Sequence, residues 1–219
     1  MGNFVHEVME GFYAIGSDRE RNAATAQQIY SEVWESGDWA AKVSPYLREM
    51  SMKLFRWNAW WCVDNIFKIE NPDTIDVKGI ELELDVTIDG VRIKGFIDRL
   101  ATINGRDTIS DYKTGKTPNA KYMSDKHFQL LLYFVCLSQG LSLNEPVLEL
   151  LYLKDAQVRR VEPTPELCAG VVETVVTVNS KIQNAFEAEQ WEAVPSKLCD
   201  WCFFKYNGCT HYTKNMRRR

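Results

Sequence analysis

The 219-residue chain is poor in the features that carry a protein into or across a membrane. It has no uninterrupted apolar run of about 18 residues, the length that marks a transmembrane helix. Its opening, M-G-N-F-V-H-E, lacks the basic and apolar regions of a secretory leader. His6 stands where an N-myristoylation start carries Ser or Thr. The expectation is a cytoplasmic protein without membrane partners, in which cysteines do not form structural disulfides. Positive charge is not in excess either. The chain has 26 Lys and Arg against 30 Asp and Glu, a net charge of −4, which argues against a globally basic nucleic-acid-binding surface. The segment from Lys197 to Arg219 is the exception, with six basic residues and one acid, and it is a candidate phosphate contact. No G-x-x-x-x-G-K-[ST] motif occurs. T-G-K-T at 114–117 has only the tail of one, so neither a phosphate-binding loop nor a motor is expected. Internal repeats and low-complexity linkers are also missing.

What is present is an ordered alternation of helix and strand signals. An apolar stripe predicts a helix over 2–14, through Phe4, Val5, Val8, Met9 and Phe12. A second helix is expected over 21–35. Ser44-Pro45 predicts the start of a long third helix to about residue 67, rich in tryptophan. Strands are expected over 79–88, 91–101 and 107–113, joined by turns at Asp89-Gly90 and Asn104-Gly105. A loop follows at 114–120. Then come a helix over 125–139 that Ser124 can cap, strands over 146–153 and 157–162, and a helix over 164–189. This order predicts an α/β fold with a mixed sheet flanked by helices. The domain expectation is one unit over 1–195, with its N-terminal helices, and a Cys-rich segment over 196–219 packed on it.

The chemistry concentrates in G-F-I-D-R-L-A-T-I-N-G-R-D-T-I-S-D-Y-K, residues 95–113. A two-residue turn at Asn104-Gly105 sets Asp98 opposite Asp111. Cross-strand partners share a face, with Cβ atoms roughly 5 Å apart. Lys113, two residues beyond Asp111, shares it too. Two like charges facing each other cost stability, unless a divalent cation lies between them. Asp98 and Asp111 offer hard oxygen ligands suited to Mg²⁺ or Mn²⁺, and the Tyr112 carbonyl is a further candidate ligand. Lys113 is placed to orient a water or to stabilise charge on phosphorus. Gln129 and Tyr133, at i and i+4, share a helix face. Arg99 is expected to pair with a carboxylate or a phosphate.

The succession G-F-I-D-R, D-Y-K-T-G-K and Q-L-L-L-Y resembles the PD-(D/E)XK nuclease superfamily, within it the RecB-type exonucleases. These include the RecB and AddB nuclease domains and the CRISPR-associated exonucleases of spacer acquisition. The resemblance implies a restriction-endonuclease-like fold. It also implies catalytic roles for Asp98, Asp111, Lys113, Gln129 and Tyr133. A metal-ligating histidine is implied at His6, in a G-x-x-x-H setting with Gly2. Imidazole suits Mn²⁺ better than Mg²⁺. Glu81 matches a less constant acidic position and is a candidate to support the metal ligands.

Cys199, Cys202 and Cys209 form a C-x₂-C-x₆-C array, a spacing that suits a metal or an iron–sulfur cluster. The resemblance implies a [4Fe–4S] cluster with a fourth, upstream cysteine, which is not evident here. His211 is the alternative fourth ligand, which would make a zinc site. Cys62, Cys136 and Cys168 read as core residues.

The function these features imply is a metal-dependent DNA nuclease, an exonuclease on single strands or free ends, serving DNA repair, recombination or spacer acquisition. Two readings compete with it. One is a nucleic-acid-binding module without activity. The other is a subunit of a larger assembly, partnered by a helicase or a CRISPR integrase.

Overall fold

The computed structural model describes residues 1–16, 18–47, 49–119 and 124–212. The basic residues of the 213–219 tail, the last residue of the 114–120 loop and the side chain of Ser124 lie outside the described residues. The chain divides into two compact units, 1–175 and 176–219. Among the described residues no helix is long and apolar enough to cross a membrane.

The first unit begins with helices. α1 (Gly2–Tyr13) buries Phe4, Val5, Val8, Met9, Phe12 and Tyr13, the stripe expected from its periodicity. α2 (Ala23–Ser36) starts at Asn22, whose side chain accepts from the Thr25 amide at 3.0 Å and so satisfies an end-of-helix donor. A short helix that the sequence reading omits, α3 (Trp39–Val43), follows. The expected long helix from Ser44 is broken. Ser44-Pro45 opens only a 3₁₀ turn, Ser44–Tyr46. Leu47 is extended, at φ −130° and ψ 143°, so the hydrogen-bond ladder cannot propagate through it. α4 (Glu49–Asp64) and α5 (Ile66–Ile69) come after the break.

Five strands form one mixed sheet in sequence order: β1 (Asp76–Ile88), β2 (Val91–Ile103), β3 (Arg106–Lys113), β4 (Val147–Tyr152) and β5 (Gln157–Val161). Both hairpin turns carry positive φ at their two central residues: 46° and 79° at Asp89-Gly90, and 52° and 79° at Asn104-Gly105. That is the requirement of the tight turn whose twist matches the flanking strands. β3 and β4 are parallel. Their crossover contains α6 (Ser124–Leu137). α7 (Pro165–Glu187) contains the division between the units. The second unit continues with 3₁₀ turns at Lys197–Trp201 and Phe203–Lys205, joined by a bond from Lys205 Nζ to the Asp200 carbonyl at 2.9 Å.

The sheet separates two apolar clusters because alternate strand residues point to opposite faces. Ala101, Tyr112 and Leu151 pack with Phe4, Tyr30, Trp34 and Val63 of the helical layer. Leu100, Ile109, Leu148 and Leu150 pack with Leu130 and Leu131 of α6 and with Val171.

A charge is buried beneath this sheet. Arg99 is 0% exposed and forms a two-pronged pair with Glu70, at 2.6 and 2.9 Å. It also donates to Ser110 Oγ at 3.1 Å. Ser110 in turn donates to Glu149 at 2.8 Å, and Arg160 holds the other oxygen of Glu149 at 3.0 Å. The guanidinium carbon lies 4.4 Å from the Tyr13 ring centre, and the Tyr13 hydroxyl donates to Glu70. The expected partner of Arg99, a carboxylate or a phosphate, is therefore a carboxylate. Removing one partner of a buried pair leaves the other charge uncompensated. Glu70→Ala should lower stability in urea unfolding by about 3–5 kcal/mol. A loss below about 1 kcal/mol, the range of exposed pairs, would mean that water reaches Arg99.

Candidate active site

The register around Asn104-Gly105 matches the sequence reading. Ile103 faces Arg106 and Arg99 faces Ser110. There the β2–β3 ladder closes, one pair short of Asp98 and Asp111. β3 continues against β4 as far as Lys113 and Tyr152. The Tyr112 amide, past the last β2–β3 pair, donates instead to Asp98 Oδ2 at 2.6 Å. The direct opposition expected of the two acids becomes a side-chain-to-backbone bond at a fork in the sheet. Parting the strands relieves the repulsion that facing carboxylates would suffer.

On its other side, β2 faces β1. Ile80 pairs with Arg99 and Leu82 with Ile97, so Glu81 stands across from Asp98 at a skipped position in the ladder. Its φ is 44°, a left-handed conformation that a residue with a side chain rarely adopts. Counting outward from Asp89-Gly90 would have found this acid, by the arithmetic that matched Asp98 with Asp111. Glu81, expected to support the metal ligands, stands level with Asp98. One ligand atom each from His6, Glu81 and Asp98 all lie within 4.8 Å of one another, and no other such group forms among the described residues.

His6 comes from α1. Its Nε2 lies 3.0 Å from the Tyr112 carbonyl oxygen, which can only accept, so Nε2 carries a proton. Nδ1 lies 3.4 Å from Asp98 Oδ1. A lone pair facing a carboxylate is repulsive, so a proton or a metal ion belongs between them. A ring N–H fixed by a carbonyl is also the usual arrangement of a metal-ligating histidine. Burial acts to lower the pKa of His6, but the hydrogen bond and charge of Asp98, with Asp111 adding, raise it overall. Burial raises that of Glu81, and Asp98 adds to the effect. The Tyr112 carbonyl, a candidate ligand by sequence, has one lone pair committed to His6.

Asp111 is buried and lies outside that group. Its Oδ2 is 2.6 Å from Lys113 Nζ, without the alignment of a hydrogen bond. Burial raises its pKa, as does Asp98, against the opposing influence of Lys113 and His6. The ammonium of Lys113 is thus the cation that this buried oxygen faces. Lys113 also donates to Gln129 Oε1 at 3.2 Å, and Gln129 Nε2 donates to the Tyr133 hydroxyl at 2.6 Å. Gln129 and Tyr133 thus share a face of α6, and the first of them touches the lysine.

Two clefts meet at this point. Glu7, Glu10, Glu81, Asp98 and His6 line one. His6, Lys113, Lys116, Lys126 and Tyr152 line the other. One side suits a cation and the other an anion, with His6 on the boundary. Cys199, Cys202 and Cys209 belong to the second unit and are free thiols, as are Cys62, Cys136 and Cys168. Cys62 and Cys136 are buried, as expected, while Cys168 is half-buried.

A model of the PD-(D/E)XK nuclease superfamily matches residues 1–206. Among curated proteins, the Gene 69 protein of Mycobacterium phage L5 is 25% identical over 150 residues, which is 67% of this chain and 48% of that protein. The Gene 69 protein of Mycobacterium phage D29 is 22% identical over 131 residues, 58% of this chain and 46% of that one. The chain therefore spans about half the length of these curated relatives. The solved structure titled "Crystal structure of SSO0001" covers 97% of this chain and 85% of its own, at 14% identity and a TM-score of 0.40, too distant to bear on the fold or the site.

The geometry sets a pH dependence. A ligating histidine must be neutral and a ligating carboxylate ionised. His6 and Glu81 both have raised pKa values, so protons displace a bound ion as the pH falls through them. Affinity for Mn²⁺, followed by calorimetry from about pH 8 down to about pH 5, should fall, and His6→Ala should flatten the curve. A wild-type affinity that does not vary over that range would remove His6 from the site.

Proposed function

The chain belongs to the PD-(D/E)XK nuclease superfamily, and on that premise we propose that it is a divalent-cation-dependent deoxyribonuclease of RecB type. Its substrate in this reading is single-stranded DNA or a free DNA end, cleaved as an exonuclease. The observation that carries the reading is Lys113, set between Asp111 at 2.6 Å and Gln129 at 3.2 Å, beside the His6–Glu81–Asp98 group.

The donor set is one imidazole and two carboxylates, with Asp111 close by, and it fits Mg²⁺ or, better, Mn²⁺. When bound, such an ion polarises the phosphoryl oxygen and makes a water acidic enough to attack. The remaining work falls to the chain. Asp98, Glu81 and His6 hold the cation site, and the Tyr112 amide and carbonyl orient two of them. Lys113 lies where charge develops on the phosphoryl oxygens and stabilises it. Gln129, braced by Tyr133, aims the ammonium. Lys116 and Lys126 of the basic cleft meet the phosphates on either side of the scissile bond. In the reaction, water oxygen bonds to phosphorus, the phosphorus–oxygen ester bond breaks and the departing oxygen takes up a proton.

We assign Cys199, Cys202 and Cys209 of the second unit as three of the four ligands of a [4Fe–4S] cluster, whose fourth, upstream cysteine is not evident. Iron and sulfide analysis of the purified protein tests this separately, since zinc alone or no metal would remove the cluster without touching the nuclease reading.

The decisive measurement uses end-labelled single-stranded and duplex DNA with Mg²⁺, Mn²⁺ or EDTA. Cleavage should require the cation and stop in EDTA. Asp111→Asn and Lys113→Ala should each lose at least about 10²–10³-fold in rate, with a wild-type far-ultraviolet circular dichroism spectrum showing that each variant is folded. Undiminished cleavage by either variant, or by the wild type in EDTA, would refute the proposal.

A further inference from the structure

α4 carries an exposed pair of rings that the active site does not use. Trp57 and Trp61 sit one turn apart, with ring centres 5.5 Å from each other and planes inclined by 27°. They are 59% and 42% exposed, whereas Ala59, Cys62 and Val63 on the inner face of the helix are buried. Leaving two indoles in water forgoes a large hydrophobic gain. Trp61 is also fixed in place. Trp61 Nε1 donates to the Lys154 carbonyl at 3.3 Å, and Lys68 Nζ lies 4.6 Å from a Trp61 ring centre. A groove beside Trp57 is lined by Lys53, Arg56, Tyr30 and Trp60. The Tyr30 hydroxyl donates to the Arg56 carbonyl at 2.7 Å and stiffens its wall.

We infer that Trp57 and Trp61 form a base-stacking platform for single-stranded nucleic acid, with Lys53, Arg56 and Lys68 holding its phosphates. Alternation of aromatic faces with cations is how proteins bind single strands without reading sequence. The charge around the rings complements a polyanion, which an apolar protein partner would not need. A duplex keeps its bases stacked inside and offers no face to these rings, so the platform selects unpaired strands. Lys68 already covers one face of Trp61, which leaves Trp57 as the main contact.

The platform is joined to the candidate site through one turn. Lys154 holds Trp61 through its carbonyl. The next residue, Asp155, accepts from the Thr117 amide and hydroxyl at 3.1 and 3.0 Å. Thr117 belongs to the loop whose Thr114 and Lys116 line the basic cleft. In this proposal a strand with a phosphate at Lys113 runs past this turn to α4. This placement rests on the nuclease reading, while the stacking itself does not.

The test is binding of fluorescein-labelled oligo(dT) to the full chain in EDTA, read by anisotropy, where no cleavage is expected. Trp57→Ala should weaken binding about 10-fold or more, and Trp57→Phe should restore most of it. Lys53→Ala should reduce the slope of log affinity against log salt by about 0.7. Wild-type affinity in Trp57→Ala at an unchanged urea midpoint would overturn the platform, as would no binding of oligo(dT) by the wild type. A self-association that Trp57→Ala abolishes while DNA affinity is kept would overturn it too, by making the face a contact between copies. Cleavage of DNA by the wild type with Mn²⁺ is scored separately, so wild-type affinity in Trp57→Ala overturns the platform and leaves the nuclease reading standing.

Discussion

The buried guanidinium of Arg99 is the constraint on which the rest of the candidate site depends. It joins β2 to Glu70 at the end of the helical layer, to β3 through Ser110 and to β4 through Glu149. A charge with no exposure cannot shift without losing partners that water does not replace. Asp98 is the preceding residue, and its carboxylate meets His6 of α1, the helix whose Tyr13 ring lies against Arg99. Fixing residue 99 therefore constrains the backbone that carries residue 98. Buried ion pairs are a weak source of stability and a better source of positional uniqueness. Here the position so defined is the point at which β2 leaves β3.

The parting of the two strands creates the chemistry. Had the ladder continued, Asp98 and Asp111 would face each other as ordinary strand neighbours. The fork turns Asp98 onto the Tyr112 amide, brings it beside Glu81 and His6, and leaves Asp111 to Lys113. Negative charge gathers on one side and positive charge on the other. The same short stretch of chain, from Asp111 to Lys116, serves both.

Much of this was legible in the residues. Asn104-Gly105 and Asp89-Gly90 give the turns and the register of the strands that they join. The five-stranded mixed sheet with its flanking helices follows from the order of the elements. Other features were hidden for physical reasons. The fork depends on a side chain competing with a strand for one amide, which no propensity records. Glu81 is concealed by its left-handed backbone, since glutamate carries no signal for that conformation. The break at Leu47 follows a Ser-Pro start that reads as the opening of a long helix. Trp57 and Trp61 merge with Trp60 and Phe67 into a band too broad to reveal which rings face outward.

The contribution of α1 through His6 has a mechanical side. Its neighbours Val5, Val8 and Met9 are sunk into the helical core, whereas its imidazole meets carboxylates that belong to the sheet. An ion gripped by all three would act as a rivet between two layers otherwise joined by oily contacts and the Arg99 network. Ligand that binds only the closed arrangement stabilises it by mass action. The cation would then be part of the scaffold as well as of the chemistry, and the first helix could not loosen while it stayed in place.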